Sequence, residues 1–174
     1  MIKQTNQFVK NNDGTVDIIL DRKNGIKLST KISLCDFNSI ICYGKWSVSF
    51  YKKSNSYYVS NSPRRYSKTL LHRFIMSCPS NMEVDHIDGN TLNNTRQNLR
   101  LVARNQNSQN RNILNPKNKS CGIKNINFNT KLNRWVIRFC VLGKTTTKYA
   151  LTLEDAKIIA DKLRPIIHPF YARD

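Results

Sequence analysis

Apolar positions in residues 1–62 fall in short alternating or β-branched runs. TVDIIL (15–20) is one such run, and KNG (23–25) marks a turn after it. KWSVSFYKK (45–53) sets Trp46, Val48 and Phe50 against polar neighbours, and NSYYVSN (55–61) follows after Ser54–Asn55. This pattern predicts a meander or hairpins. The period then changes. In KTLLHRFIMSC (68–78), Leu71, Phe74 or Ile75, and Cys78 share one face at helical spacing, and Pro79 ends the helix. Residues 82–112 predict a strand over 82–86, a polar loop over 87–97, a strand over 98–102 and a helix over 103–112. Asp88-Gly89-Asn90 and Asn93-Asn94 supply turn residues within the loop.

ILNPKNKSC (113–121) reads as a linker, after which the pattern resets. Three strands are expected over 122–129, 134–144 and 145–152. Trp135, Ile137, Phe139 and Val141 share one face, and Val136, Arg138, Cys140 and Leu142 share the other. A helix over 153–167 follows, with Thr152 as N-cap, Asp155 three residues on, and an apolar stripe of Ala156, Ile159, Ala160, Leu163 and Ile166 or Ile167. The expected class is α+β. A β-rich leader runs into a strand–loop–strand–helix segment, and a three-stranded antiparallel sheet packed on one helix completes the chain. The expected modules are 1–113, with its core at 68–112, and 121–174.

Charge narrows the partner. Among 174 residues, 29 Lys and Arg face 11 Asp and Glu, a net charge of +18. Residues 1–112 carry 17 basic against 7 acidic side chains, and residues 113–174 carry 12 against 4, so the excess is not confined to a tail. A polyanion is the natural counterpart, and nucleic acid of some kind is the expected one. A basic structural protein, such as one bound to a ribosome, is the plainer alternative. The five cysteines are odd in number and lack C-x2-C spacing, which argues against a disulfide framework or a zinc finger and for reduced thiols. No apolar run is long enough to span a bilayer, and the first residues lack a signal-peptide core. A cytoplasmic protein without a membrane partner is expected, in the host cytoplasm if it is phage-encoded.

The segment VDHIDGN…NNTRQNLRLVARNQNSQN carries the candidate chemistry. Asp85-His86 is followed after eleven residues by Asn98 and after eight more by Asn107. Phosphodiester hydrolysis needs a base near neutral pH, and His86 is the candidate. It also benefits from a divalent cation on hard oxygen ligands, for which Asp85 and Asn107 are candidates. One Mg²⁺ or Mn²⁺ per site suits two protein oxygens completed by phosphate and water. Taken singly, Asp85, Asn98 and Asn107 read as turn and cap residues; their joint spacing around His86 favours a site instead. Adjacent strand residues point to opposite faces, so the strand must end or twist at Asp85-His86 for both to serve one centre. Arg96, Arg100, Arg104 and Arg111 are expected at phosphates, with a solvated basic face as the alternative. The leader reads as a small β-scaffold or, through Lys52, Lys53, Arg64 and Arg65, as a further DNA-contacting face. His72 reads as packing or support for the site, His168 as structural, and Asp88 as a turn residue.

This spacing, with LHR (71–73) upstream, resembles the HNH (ββα-metal) motif of phage- and intron-encoded homing endonucleases. The resemblance implies cleavage to 5′-phosphate and 3′-hydroxyl ends, and an Asn98 side chain that holds the His86 ring by a hydrogen bond. Some HNH proteins carry a structural zinc; none is expected here. GIKNINFN…NRWVIRF…GK…ALTLEDAKIIADK resembles the Apetala-two type DNA-binding domain, which implies a sheet lying in the major groove. Arg138, with Lys124, Arg134, Lys144 and Lys148 near it, would contact DNA. The run Lys148-Tyr149-Ala150-Leu151 departs from that family's pattern before the helix. The combined expectation is a homing-type endonuclease acting on double-stranded DNA as a monomer or weak dimer. A non-catalytic DNA-binding regulator and a restriction-type or non-specific nuclease are the rivals.

Overall fold

The computed structural model describes residues 6–22, 25–52, 54–62, 68–104, 106–107 and 120–169. The chain divides into two compact units, Met1–Arg104 and Asn105–Asp174.

In the first unit, alternation produces β1 (Phe8–Lys10), β2 (Thr15–Asp21) and β3 (Lys27–Ser33), paired antiparallel in sequence order. Val16, Ile18 and Leu20 project inward from β2 and are buried. A helix follows that the strand-only reading of 1–62 did not expect. A 3₁₀ turn at Leu34–Asp36 leads into α1 (Phe37–Tyr43). Phe37, Ile40 and Ile41 provide an i, i+3, i+4 stripe on the core, and Gly44, at φ 124°, ends the helix in a conformation disfavoured for other residues. β4 (Ser47–Tyr51) and β5 (Ser56–Asn61) then form the expected hairpin. The helix expected over 68–78 is shorter. Thr69–Leu70 form β6 against β5, and only Leu71–Ile75 are helical (α2). Ser77 takes a positive φ two residues before Pro79, which closes the turn.

β7 (Glu83–His86) comes next. The polar loop contains a short strand, β8 (Asn93–Asn94), and a 3₁₀ turn at Arg96–Asn98 precedes β9 (Leu99–Val102). β7 and β9 form a two-stranded antiparallel ribbon, while β8 joins the first sheet in the order β1-β2-β3-β8, running parallel to β3. Val84 and Leu99 enter the same core as Val16, Ile32, Ile40, Trp46 and Leu71. Trp46 is 2% exposed and donates its indole N–H to the Ile40 carbonyl at 2.9 Å. Truncating a ring buried this deeply costs about 3–5 kcal/mol.

The second unit contains β10 (Ile126–Asn129), β11 (Arg134–Val141) and β12 (Lys144–Ala150) in one antiparallel sheet. The β11–β12 turn is Leu142–Gly143, with φ of 49° and 80°, so β11 ends earlier than the expected residue 144. α3 (Leu153–Ile167) begins as expected: Thr152 Oγ1 accepts the Asp155 backbone N–H at 3.1 Å. Ala156 and Ala160 lie fully buried with Ile126, Ile137 and Phe139. No helix among the described residues is long and apolar enough to cross a membrane.

Candidate active site

His86 closes β7 and is only 5% exposed. Its Nε2 lies 3.2 Å from Asn94 Oδ1 on β8. The rings of His72 (α2) and Tyr58 (β5) flank it at 5.2 and 6.5 Å between centroids. Burial holds the His86 pKa below the ordinary histidine value; the Asn94 hydrogen bond and the carboxylates of Asp88 and Asp85 oppose that shift only in part. His72 is pushed down to about 3, chiefly by burial, with His86 and Arg73 adding to the effect. Both imidazoles are therefore neutral near pH 7, and a neutral imidazole can accept a proton. His72 packs against the Tyr58 and His86 rings, in line with the packing expected of it.

Asp85 stands opposite Arg100 in the ribbon and His86 opposite Leu99. Alternation sends the two neighbours to opposite faces of the ribbon, and β7 ends at His86. Asp85 Oδ2 accepts from Arg100 Nε at 2.9 Å and Nη2 at 2.7 Å. Arg100 is thus engaged with the candidate metal ligand, which corrects its reading as a simple phosphate contact.

Asn98 does not hold the His86 ring. Its Oδ1 accepts the Asp88 backbone N–H at 2.9 Å, and its Nδ2 donates to Asp88 Oδ1 and the Asn93 carbonyl, both at 2.8 Å. Asn98 lies in the 3₁₀ turn before β9, and its amide spans the loop rather than the ring. Asp88 takes the expected turn role: its Oδ1 accepts the Asn90 N–H, and its Oδ2 accepts from the Asn93 amide. The ring is held by Asn94, which the sequence suggested only as a turn residue.

Arg96, expected at a phosphate, is paired with a carboxylate although its side chain is half exposed. Its Nε and Nη2 bind the buried Asp36 carboxylate at 2.7–3.1 Å, and Nη2 also donates to the Ile75 carbonyl. Arg104 is exposed, 3.5 Å from Glu83. Arg73 donates to the carbonyls of Cys78, Pro79 and Met82, fixing the entry to β7. Asn107 is helical and half-buried beyond the boundary of this unit, and Arg111 lies outside the described residues. Lys53, Arg64 and Arg65 also lie outside them, while Lys52 is exposed. Among the described residues, no group of three or more His, Cys, Asp or Glu converges on a metal-sized site.

In the second unit, the open face of the sheet carries Arg134 and Arg138. Lys144 and Lys148 pair directly with Val141 and Ile137, so they belong to the edge of the helix-covered face. The sequence placed them near Arg138 only along the chain; directly opposed residues in antiparallel strands project to the same side, so they do not share its face. Lys124 precedes β10 and is half-buried, and its carbonyl accepts from Arg164.

Residues 77–109 match the family model described as HNH endonuclease. A protein of Acanthamoeba polyphaga mimivirus named as an uncharacterized HNH endonuclease is 52% identical over 50 residues, which cover 25% of this chain and 27% of that protein. The chain therefore matches about a quarter of that relative's length. No solved structure matches it significantly.

Proposed function

We propose that this protein is a metal-dependent DNA endonuclease of the HNH, ββα-metal kind, with His86 as general base. The observation that carries the reading is a buried, neutral imidazole, fixed at a strand end, within the stretch that matches the HNH endonuclease family. In this reading His86 takes a proton from the water that attacks phosphorus. The water oxygen bonds to phosphorus as the P–O3′ bond breaks, leaving a 5′-phosphate, and the departing 3′ oxygen takes a proton from solvent to become a hydroxyl.

Asp85 and Asn107 would hold the metal. The donor set fits a hard cation: one carboxylate and one amide oxygen leave positions for water and phosphate, as Mg²⁺ or Mn²⁺ requires. Asp85 is 7% exposed and already balanced by a cation, Arg100. When bound, the metal would neutralise charge on the leaving oxygen. Asn98 supports the site by holding the turn after His86 through Asp88 and Asn93.

The three-stranded sheet of the second unit would place the enzyme on DNA in the manner of an Apetala-two domain, with Arg134 and Arg138 on the presented face. A homing-type enzyme, selecting a long site, follows from joining a DNA-reading sheet to this chemistry. One active site per chain cuts one strand, so a monomer nicks and a weak dimer cuts both.

One observation favours a non-catalytic DNA-binding regulator instead: the Arg100–Asp85 pair, which could neutralise the metal ligand permanently. Cleavage of supercoiled plasmid and phage DNA with Mg²⁺, Mn²⁺ or EDTA separates the readings. Metal-dependent cutting that His86→Ala abolishes, with DNA affinity within a few-fold of wild type, is the expected result. Binding without cutting under either metal would leave the regulator.

A further inference from the structure

The hydrogen bonds behind His86 are all directed. The Thr30 hydroxyl on β3 donates to the Leu92 carbonyl at 2.7 Å, so its oxygen is the acceptor for Asn94 Nδ2 at 2.8 Å. Asn94 Nδ2 also approaches the Thr91 carbonyl at 3.3 Å, which can only accept. These two partners assign the amide: nitrogen toward Thr30 and Thr91, oxygen toward His86. An amide oxygen facing Nε2 at 3.2 Å requires the proton on Nε2, which in the neutral imidazole places the basic lone pair on Nδ1. Thr30 and Asn94 are 0% and 1% exposed, so water does not compete for these bonds. Lys31 donates its backbone N–H to the same Leu92 carbonyl, and β8 pairs with β3, so the relay rests on the N-terminal sheet.

We infer that Asn94 and Thr30 are positioning residues that hold His86 as its Nε2–H tautomer, presenting Nδ1 as the proton-accepting nitrogen. Thr30 lies far outside the stretch that matches the HNH family, so the leader supplies part of the base's support. The inference rests on the endonuclease reading for its catalytic consequence, but the tautomer is a property of the protein without metal or DNA.

The test uses the full chain with ¹⁵N-labelled histidine. In metal-free wild type with neutral imidazoles, the His86 Nε2 signal should fall in the protonated, pyrrole-like range and Nδ1 in the acceptor, pyridine-like range. Thr30→Val removes the acceptor that orients Asn94; it should mix the two tautomers and lower kcat about 10- to 100-fold, with KM for DNA within about twofold. Thr30→Ser, which keeps the hydroxyl, should restore both. Asn94→Ala should act like Thr30→Val, and the Thr30 pair decides the matter if that variant fails to fold. Wild-type His86 protonated on Nδ1 would overturn the assignment. A loss of kcat in Thr30→Val with the tautomer unchanged, or a mixed tautomer with full kcat, would overturn the positioning role. A wild type with the expected tautomer that cuts no DNA would remove the endonuclease reading and the catalytic role with it, leaving the tautomer assignment measured.

Discussion

Replacing His72 by Phe should flatten the acid limb of the stability profile. The His72 ring is 6% exposed and packs against Tyr58 and His86 at centroid distances of 5.6 and 5.2 Å. Burial pushes its pKa from 6.5 down to about 3. In the unfolded chain the group titrates near its ordinary value, so between these two limits only the unfolded state binds the proton. Stability is then full above pH 6.5 and falls as the pH drops toward 3, by about 1.4 kcal/mol per unit once the unfolded group is charged. Between about pH 7.5 and about pH 4.5 this one residue accounts for roughly 2.7 kcal/mol. Phe keeps a ring in the same place and cannot titrate. His86 and His168 are shifted in the same direction, so the variant still loses stability in acid, and the quantity that isolates His72 is the difference between the two proteins. Urea titrations at the two pH values, with equal m-values in both proteins, would measure it. Parallel losses in wild type and His72→Phe would show that His72 is not held neutral in the fold, and the argument from burial would fail.

Two further outcomes follow from charges that the structure relocates. Arg96→Ala should destabilise the protein by about 1–3 kcal/mol in urea titration, because Asp36 is left buried without its partner while the half-exposed arginine limits the loss; the salt dependence of DNA binding should be unchanged, and a slope lowered by about one would make Arg96 a phosphate contact after all. Arg138→Ala should weaken DNA binding and lower that slope by about one, whereas Lys148→Ala, on the helix-covered side of the sheet edge, should change it less; equal effects in a filter-binding salt series would contradict the assignment of faces.

The second unit was the more legible part of the chain. Alternation of Trp135, Ile137 and Phe139 identified the covered face, and Thr152 with Asp155 marked the helix start, because these signals are local. The strand lengths were less so: a two-residue turn with Leu142 at positive φ has no strong residue signature at its first position. In the first unit α1 was missed although Phe37, Ile40 and Ile41 are helically spaced, since the flanking β-branched runs dominate a window that short. At the candidate site, His86 stood out by its neighbours in sequence. Its hydrogen-bond partner was not, because what fixes Asn94 is a threonine on another strand, 64 residues away. Arg96 misled for the same reason: Asp36, 60 residues earlier, claims a side chain whose type alone suggests phosphate.

Those long-range bonds explain why the leader exists at all. A two-stranded ribbon such as β7–β9 is marginal by itself, since its one apolar face has nothing to pack on. Here Val84 and Leu99 complete a core built from β2, β3, α1 and α2. The loop between the strands is tied down at successive points: Thr91 Oγ1 to the Tyr57 carbonyl, Leu92 to β3, the Arg96 backbone N–H to Ser33 Oγ, and the Arg96 side chain to Asp36. Each anchor lies before the stretch that carries the candidate chemistry. Asn98 then stiffens the same loop from within, and Asn94 transmits its position to the His86 ring. Any change that loosens the sheet of β1–β3 should therefore be felt at the His86 ring before it is felt in the fold of the second unit, whose core of Ile126, Ile137, Phe139 and Ala156 shares no residue with the first.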